Sequence, residues 1–139
     1  TAPYPILVSE MMLQQTQVDR VVPKYRTFLA RFPIVESLAC APTADVLKLW
    51  SGLGYNRRAL YLQKCAQAIT EQSTFPEIED ALKKLPGIGT YTAAAILSFA
   101  FNKDVPVIDV NIELLYKRIF YGKFKNVETI ARHFLQMEG

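Results

Sequence analysis

Cysteine is scarce in this 139-residue chain, which contains only Cys40 and Cys65. The two positions lack the close spacing of a metal or cluster site. Each lies in an apolar context that is typical of a helix, Leu38–Ala41 and Lys64–Ala66. We therefore interpret both as buried free thiols, and we expect neither a disulfide nor a bound metal in this chain.

Long apolar runs and a strong net charge are also missing. No stretch reaches the length of a membrane span, and residues 1–5 have neither the basic start nor the apolar run of a signal peptide. We expect a soluble, intracellular monomer with no membrane partner, located in the cytoplasm or nucleoid of a bacterium or in the nucleus or mitochondria of a eukaryote. The net charge of +3 permits a nucleic-acid partner without requiring one, because binding depends on where cations cluster.

What is present is a series of short helical patterns separated by proline and glycine. The length fits one domain with a real core. The only strand-like run, Val105–Ile108, has no partner, so we predict an all-α fold, without the few long helices of a four-helix bundle. One predicted helix follows a capping box formed by Thr16 and Asp19 and ends near Arg31, with Pro23 either as a kink or as a later start. Thr43 is predicted to cap another, Ala44–Ser51. The other predicted helices are Ile6–Gln15, Val35–Ala41, Asn56–Gln72, Ile78–Lys84, Tyr91–Phe101, Val110–Phe120 and Val127–Met137.

A glycine-containing turn joins two of these helices. The segment Lys83–Thr90 contains Gly87 and Gly89, which let the backbone turn sharply and approach a ligand closely. The following helix offers unpaired N–H groups and the positive end of its dipole, so the turn predicts a phosphate site. The alternative is a plain connection between two packed helices.

The same turn resembles the helix-hairpin-helix of the endonuclease III superfamily. In that family an Asp follows the hairpin by about twenty residues, as Asp109 does here within Val105–Asn111. The resemblance implies a multi-helical HhH-GPD glycosylase core, in which a six-helix barrel lobe carries the hairpin and a second lobe is incomplete. It also implies that the hairpin binds DNA, through Leu85, Gly87, Ile88, Gly89 and Thr90.

Two further motifs are similar to those of adenine glycosylases that act opposite 8-oxoguanine. They are Ser9–Val18 and Trp50–Tyr55. Superfamily members that also cleave the strand carry a Lys after the hairpin for a Schiff base, and this chain has Tyr91 there, which disfavours a lyase mechanism. Tyr91 is compatible with adenine and with thymine mismatch glycosylases, and Glu10 favours the adenine branch.

The resemblance assigns chemical roles to four residues. Glu10 is expected to protonate adenine N7, with its pKa raised by burial, and Asp109 to stabilise the cationic sugar or bond to it transiently. Tyr91 and Asn111 are expected to position Asp109. Without the motifs, Glu10 reads as an exposed or paired helix residue and Asp109 as a helix cap.

A second set of residues is expected to read the extruded site. An enzyme that acts on a duplex base must flip it out. By resemblance, Gln14, Gln15 and Thr16 contact the orphaned partner base, while Tyr55 wedges beside it; the alternative for Tyr55 is packing at a helix start. Many adenine glycosylases have a second Tyr where this chain has Asn56. Arg57 and Arg58 reach the DNA backbone or are simply solvated.

The resemblance also implies features that these 139 residues do not contain. Family members usually continue into a four-cysteine segment with a [4Fe–4S] cluster, and adenine glycosylases often add a recognition domain. We expect residues 1–139 to be a single catalytic core, truncated before both, with no cofactor of its own. The predicted partner is double-stranded DNA with a mismatched or damaged base pair. The alternatives are a thymine or uracil mismatch glycosylase, or a DNA-binding module without catalysis.

Overall fold

The computed structural model describes residues 2–101, and this part of the chain is helical with no strand. The predicted elements from residue 102 onward, including Val110–Phe120 and Val127–Met137, lie outside the described residues. The described helices are α1 Pro3–Leu13, α2 Val18–Arg31, α3 Val35–Ala39, α4 Thr43–Trp50, α5 Arg57–Gln72, α6 Glu79–Lys83 and α7 Thr90–Phe101. Each agrees with a predicted helix to within about three residues at either end, as expected for patterns set by local proline and glycine.

The centre of the fold is the pair α1 and α7, which pack against each other. Both are apolar on nearly every side, and a helix of that kind is stable only when it is surrounded. In α1, Ile6 to Met12 form an unbroken buried stretch, and in α7 so do Thr92 to Phe99. Helices α2 and α5 pack on α1 and bury one face each, so the core forms around the helix pair that carries the site.

Two predicted helix caps are wrong. Helix α2 begins at Val18 after Gln17, and no side chain caps it, so Thr16 and Asp19 do not form a capping box. The Thr16 hydroxyl is instead used by contacts described below. Thr43 is the first residue of α4 rather than its cap, and its Oγ1 donates to Gln63 Oε1 at 2.9 Å. In both cases a long-range partner takes the hydroxyl that the local pattern assigned to the helix end. Pro23 lies inside a continuous α2, so the later start is wrong as well.

The two cysteines are free, and only one is buried. Cys65 is fully buried on α5, and its thiol donates to the Pro86 carbonyl at 2.7 Å. Burial raises the pKa of Cys65 to about 12. Cys40 is exposed at the C-terminal end of α3, which corrects the prediction of two buried thiols. Among the described helices, none combines the length and apolarity needed to cross a membrane.

Candidate functional site

A cleft opens between the C-terminal half of α1 and the N-terminal turn of α7. Its volume is about 300 Å³, at the lower end of the range for small-molecule sites. The packing of α1 on α7 places two segments that are distant in sequence on facing walls. The lining residues are Glu10, Leu13, Gln14, Gly89, Thr90, Tyr91 and Thr92.

Glu10 and Tyr91 lie on the two walls of this cleft. Glu10 is only 3% exposed, in the middle of an apolar helix, and such burial is costly for a carboxyl group unless it is paired or neutral. Tyr91 is 60% exposed at the start of α7. Of the two alternatives for Glu10, an exposed helix residue is therefore wrong, whereas a paired carboxyl agrees with its burial. The predicted partners Asp109 and Asn111 lie outside the described residues.

The hairpin between α6 and α7 forms the rim of the cleft. Leu85 and Ile88 are both 6% exposed, so their side chains anchor the turn to the core and do not project from it. Gly87 has φ +76°, and a Cβ there would lie 2.9 Å from Tyr61 Cβ. Gly89 has no atom within 4 Å of the corresponding position, so it leaves open space beside the start of α7.

The three residues of the turn after α1 that were predicted to contact DNA differ in exposure and in their contacts. Gln14 is half-buried, and its Nε2 lies 3.4 Å from Thr92 Oγ1 across the cleft. Gln15 is exposed with φ +58°, a backbone conformation that non-glycine residues seldom adopt. Thr16 Oγ1 lies 3.4 Å from the Gln14 and Leu53 carbonyl oxygens. Gln15 thus faces outward, whereas Gln14 and Thr16 make contacts within the fold.

Tyr55 is the most exposed aromatic side chain near this turn, at 65%. It follows Gly54, and both have positive φ, +48° for Tyr55 and +76° for Gly54. Arg57 is exposed at the first residue of α5. The backbone therefore presents most of the Tyr55 ring to solvent.

The structure gives Arg58 a role that the sequence did not predict, because it was expected to be solvated or to contact the DNA backbone. It is 6% exposed. Its Nη1 donates to the carbonyl oxygens of Met11 at 2.8 Å and Met12 at 2.9 Å, and also to that of Gln14. Its Nη2 donates to Thr16 Oγ1 at 2.9 Å. These carbonyls end α1 and have no partner within the helix, so Arg58 satisfies them.

Arg58 also holds the turn that carries Tyr55. Its Nη2 donates to the Gly54 carbonyl at 3.1 Å, and its guanidinium lies 5.3 Å from the centre of the Trp50 ring and 5.8 Å from that of Tyr55. Burial lowers the pKa of Arg58, and Tyr55 partly offsets this effect. The burial of Arg58 could have been predicted from its position in the sequence, because it precedes Leu62 by one helical turn and so lies on the buried face of α5.

A family model and several known proteins match this chain in sequence. The family model described as HhH-GPD superfamily base excision DNA repair protein matches residues 8–137. An adenine DNA glycosylase of Mycolicibacterium smegmatis is 44% identical over 119 residues, which is 84% of this chain and 41% of that protein. An adenine DNA glycosylase of Mus musculus is 38% identical over 135 residues, 95% of this chain and 26% of that protein. The chain thus spans about two-fifths or less of the length of these relatives.

Solved structures have the same fold. A thermostable thymine-DNA glycosylase superposes with a TM-score of 0.75 at 26% identity, over 98% of this chain and 71% of that chain. A non-covalent endonuclease III–DNA complex gives a TM-score of 0.74 at 20% identity, over 99% of this chain and 68% of that chain. The predicted glycosylase-type helical fold is confirmed by these likenesses. The family match over residues 8–137 establishes that the chain belongs to the HhH-GPD superfamily of base excision DNA repair proteins.

Proposed function

We propose that this chain is the catalytic core of a monofunctional DNA glycosylase that removes adenine mispaired with 8-oxoguanine or guanine. The observation that carries the proposal is the buried carboxyl of Glu10 in a cleft whose other wall holds Tyr91 and the hairpin. The 44% identity to a protein named adenine DNA glycosylase supports the choice of base.

The reaction breaks the bond between the sugar C1′ and adenine N9. Glu10 donates a proton to N7, so the base leaves as neutral adenine with the bonding electron pair. The role we assign to Asp109 is to stabilise the sugar cation, and water then adds to C1′ and releases a proton. Tyr91 offers no amine, so no Schiff base forms and the strand is left uncut at this step.

DNA recognition is divided among the exposed residues. The N–H groups at the start of α7 bind a backbone phosphate beside Gly89 and Thr90. Gln15 and Tyr55 project outward to contact the orphaned partner base. Gln14 and Thr16 hold the turn beneath them through their own hydrogen bonds. The partner is a mismatched duplex, bound by one copy of the chain.

No step in this mechanism uses an iron–sulfur cluster. A [4Fe–4S] cluster needs four cysteine ligands, and this sequence has two. Cys65 is buried with its thiol on the Pro86 carbonyl and Cys40 is exposed, so they do not form part of a common ligand set. The residues present do not fit the cluster.

A substrate panel tests the proposal. The full chain is incubated with duplexes that carry A opposite 8-oxoguanine, A opposite G, T opposite G or U opposite G, and abasic sites are revealed by alkali. We expect loss of adenine from the first two. Alkali-independent strand cleavage would contradict the monofunctional mechanism.

The second candidate is a thymine or uracil mismatch glycosylase. It is favoured by the likeness to the thermostable thymine-DNA glycosylase, at 26% identity and a TM-score of 0.75, and by the Tyr at position 91. Excision from the T·G or U·G duplex without excision of adenine would establish it. Duplex binding without loss of any base would instead favour a DNA-binding module.

A further inference from the structure

Three cationic side chains that have no role in the proposed catalysis surround the turn at Gly52. The Arg20 guanidinium on α2 donates to the Gly52 carbonyl. Lys24, one turn further along α2, is so close that a Cβ on Gly52 would lie 3.5 Å from its Cε and 3.8 Å from its Nζ. Lys48 on α4 lines the same cavities as Arg20 and Gly52. We call this surface, formed by Arg20, Lys24, Lys48 and Gly52, the Gly52 groove.

The charges in the groove are not neutralised within the described part of the chain. Among residues 2–101, none of the three cations forms an ion pair with a carboxylate. Asp45 lies on the same helix as Lys48, but its carboxylate is paired with Arg31, at 3.9 Å. Three cations that line one groove without a carboxylate partner among the described residues create a positive potential there, which favours the binding of an anion.

The groove is too large for a single small anion and leads to the base-reading residues. Two adjoining cavities of about 820 and 350 Å³ share Arg20, Lys48 and Gly52. The larger one is also lined by Gln15 and Tyr55. An extended polyanion that follows the groove therefore reaches the exposed Tyr55 ring directly.

We propose that the Gly52 groove binds the phosphodiester backbone of the DNA strand opposite the excised nucleotide. The inference rests on the proposed function, which places the partner base at Gln15 and Tyr55. In a duplex, the backbone next to that base belongs to the strand opposite the one whose nucleotide enters the Glu10 cleft. The hairpin and the groove then hold the two strands separately.

The test uses salt dependence with a charge-matched control. The variant K24Q/K48Q removes two groove charges, whereas R26Q/K64Q removes two exposed charges that line neither cavity. Arg20 is left intact because it holds the Gly52 carbonyl. Each phosphate contact contributes about 0.9 to the slope of log affinity against log salt. Between about 50 and 200 mM salt, wild type should lose about tenfold more affinity for duplex DNA than K24Q/K48Q does.

DNA with uncharged backbone linkages in one strand shows which strand the Gly52 groove contacts. Methylphosphonate linkages are placed opposite the mismatched adenine, or around the adenine itself, and binding is measured for all three proteins. We expect the substitution opposite the adenine to weaken wild type and R26Q/K64Q but to have little effect on K24Q/K48Q, because the contact is already lost. Equal sensitivity of all three proteins, or sensitivity only around the adenine, would overturn the inference.

The two proposals fail in different ways. Phosphate contacts do not depend on sequence, so the salt slope is also measured with a fully matched duplex. A shallower slope for K24Q/K48Q with no excision of adenine would support the groove and contradict the proposed function. An unchanged slope with normal excision would contradict only the groove. Failure of wild type to bind duplex DNA would overturn both.

Discussion

Gly87 and Gly89 are two positions apart but meet different constraints. Gly87 has φ +76°, and a Cβ there would lie 2.9 Å from Tyr61 Cβ and 3.0 Å from Met11 Cε, so the fold itself requires the absence of a side chain. A Cβ on Gly89 would have no neighbouring atom within 4 Å, and the Gly89 carbonyl accepts the first hydrogen bond of α7 from the Ala93 N–H at 3.0 Å. It is therefore the N-cap residue, in open space where a phosphate can approach.

Substitutions at the two glycines should separate folding from DNA binding. Gly87→Ala should lower the free energy of unfolding by at least about 1–2 kcal/mol, because a left-handed backbone and a steric clash act together. Gly89→Asp should keep the fold, since Asp is a good N-cap, and should weaken duplex binding by repelling the phosphate. Urea unfolding and duplex titration measure the two effects.

Gly89→Asn is the matched control for the charged variant. Asn caps a helix as well as Asp does and carries no charge. It should bind duplex DNA more tightly than Gly89→Asp, and the difference should shrink at high salt. Identical affinities for the two variants would place the phosphate elsewhere.

Glu10 and Asp109 are predicted to act on opposite ends of the scissile bond. Glu10→Gln and Asp109→Asn should each lower the single-turnover rate of adenine excision by about 10²–10³. A base that leaves without protonation at N7 should partly rescue Glu10→Gln but not Asp109→Asn. Equal losses for both variants on both substrates would refute separate roles, and full activity of Asp109→Asn would refute the glycosylase proposal.

At the scale of elements, Arg58 joins the end of α1 to the start of α5. Gln15 and Tyr55, on the two turns it holds, have φ of +58° and +48°. Such strained residues persist only when their surroundings fix them. Arg58 donates to backbone on both turns, at Met12 and Gly54, and so fixes their relative position.

Removing this contact should affect stability and base recognition together. Arg58→Met leaves several carbonyls without donors and should lower the free energy of unfolding by at least about 2 kcal/mol. Arg58→Lys keeps the charge but not the planar set of donors, so it should fold and lose selectivity for mismatched over matched duplex. Unfolding midpoints and paired duplex titrations measure these effects.

The neighbouring Arg57 provides the control. It is exposed at the start of α5, so Arg57→Met removes the same side chain without disturbing the two turns. It should leave stability within about 0.5 kcal/mol and weaken matched and mismatched duplexes alike. If Arg58→Lys behaves as Arg57→Met does, Arg58 does not position the base-reading turns.

For the molecule as a whole, stability depends on a core that excludes water from several ionisable groups. Burial raises the pKa values of Tyr4 and Tyr25, as it does that of Cys65. An unfolded thiol ionises near its ordinary value of 9.0, whereas folded Cys65 stays protonated up to about 12. The free energy of unfolding should therefore fall as the pH rises between these two values.

Thiol labelling checks how firmly this core is closed. At about pH 8, iodoacetamide should alkylate Cys40 in the native chain and leave Cys65 untouched, because the thiolate is the reactive form. Mass spectrometry counts the adducts, and Cys40→Ser should give an unlabelled native chain. In denaturant Cys65 should react as well. Rapid native labelling of Cys65 would show that the core opens readily.

That residues 1–139 form a single catalytic core stays a prediction, as does the monomeric state.

The sequence by itself determined the helices and the motifs. Proline, glycine and apolar periodicity act over a few residues, so local pattern predicted α5 and α7 to within one residue at each end. The hairpin was equally local, because Gly87 alone permits its turn. Glu10 and Tyr91 were identified from motifs, without any indication of their distance.

Only the tertiary structure decided which side chains meet. Packing of α1 on α7 placed Glu10 opposite Tyr91, and burial of Arg58 depended on carbonyls more than 40 positions earlier in the chain. Thr16 had the residue type of a helix cap, yet its hydroxyl accepts from Arg58 at 2.9 Å. A periodic pattern specifies which face of a helix is apolar, but the hydrogen-bond partners of a polar side chain depend on which element that face meets.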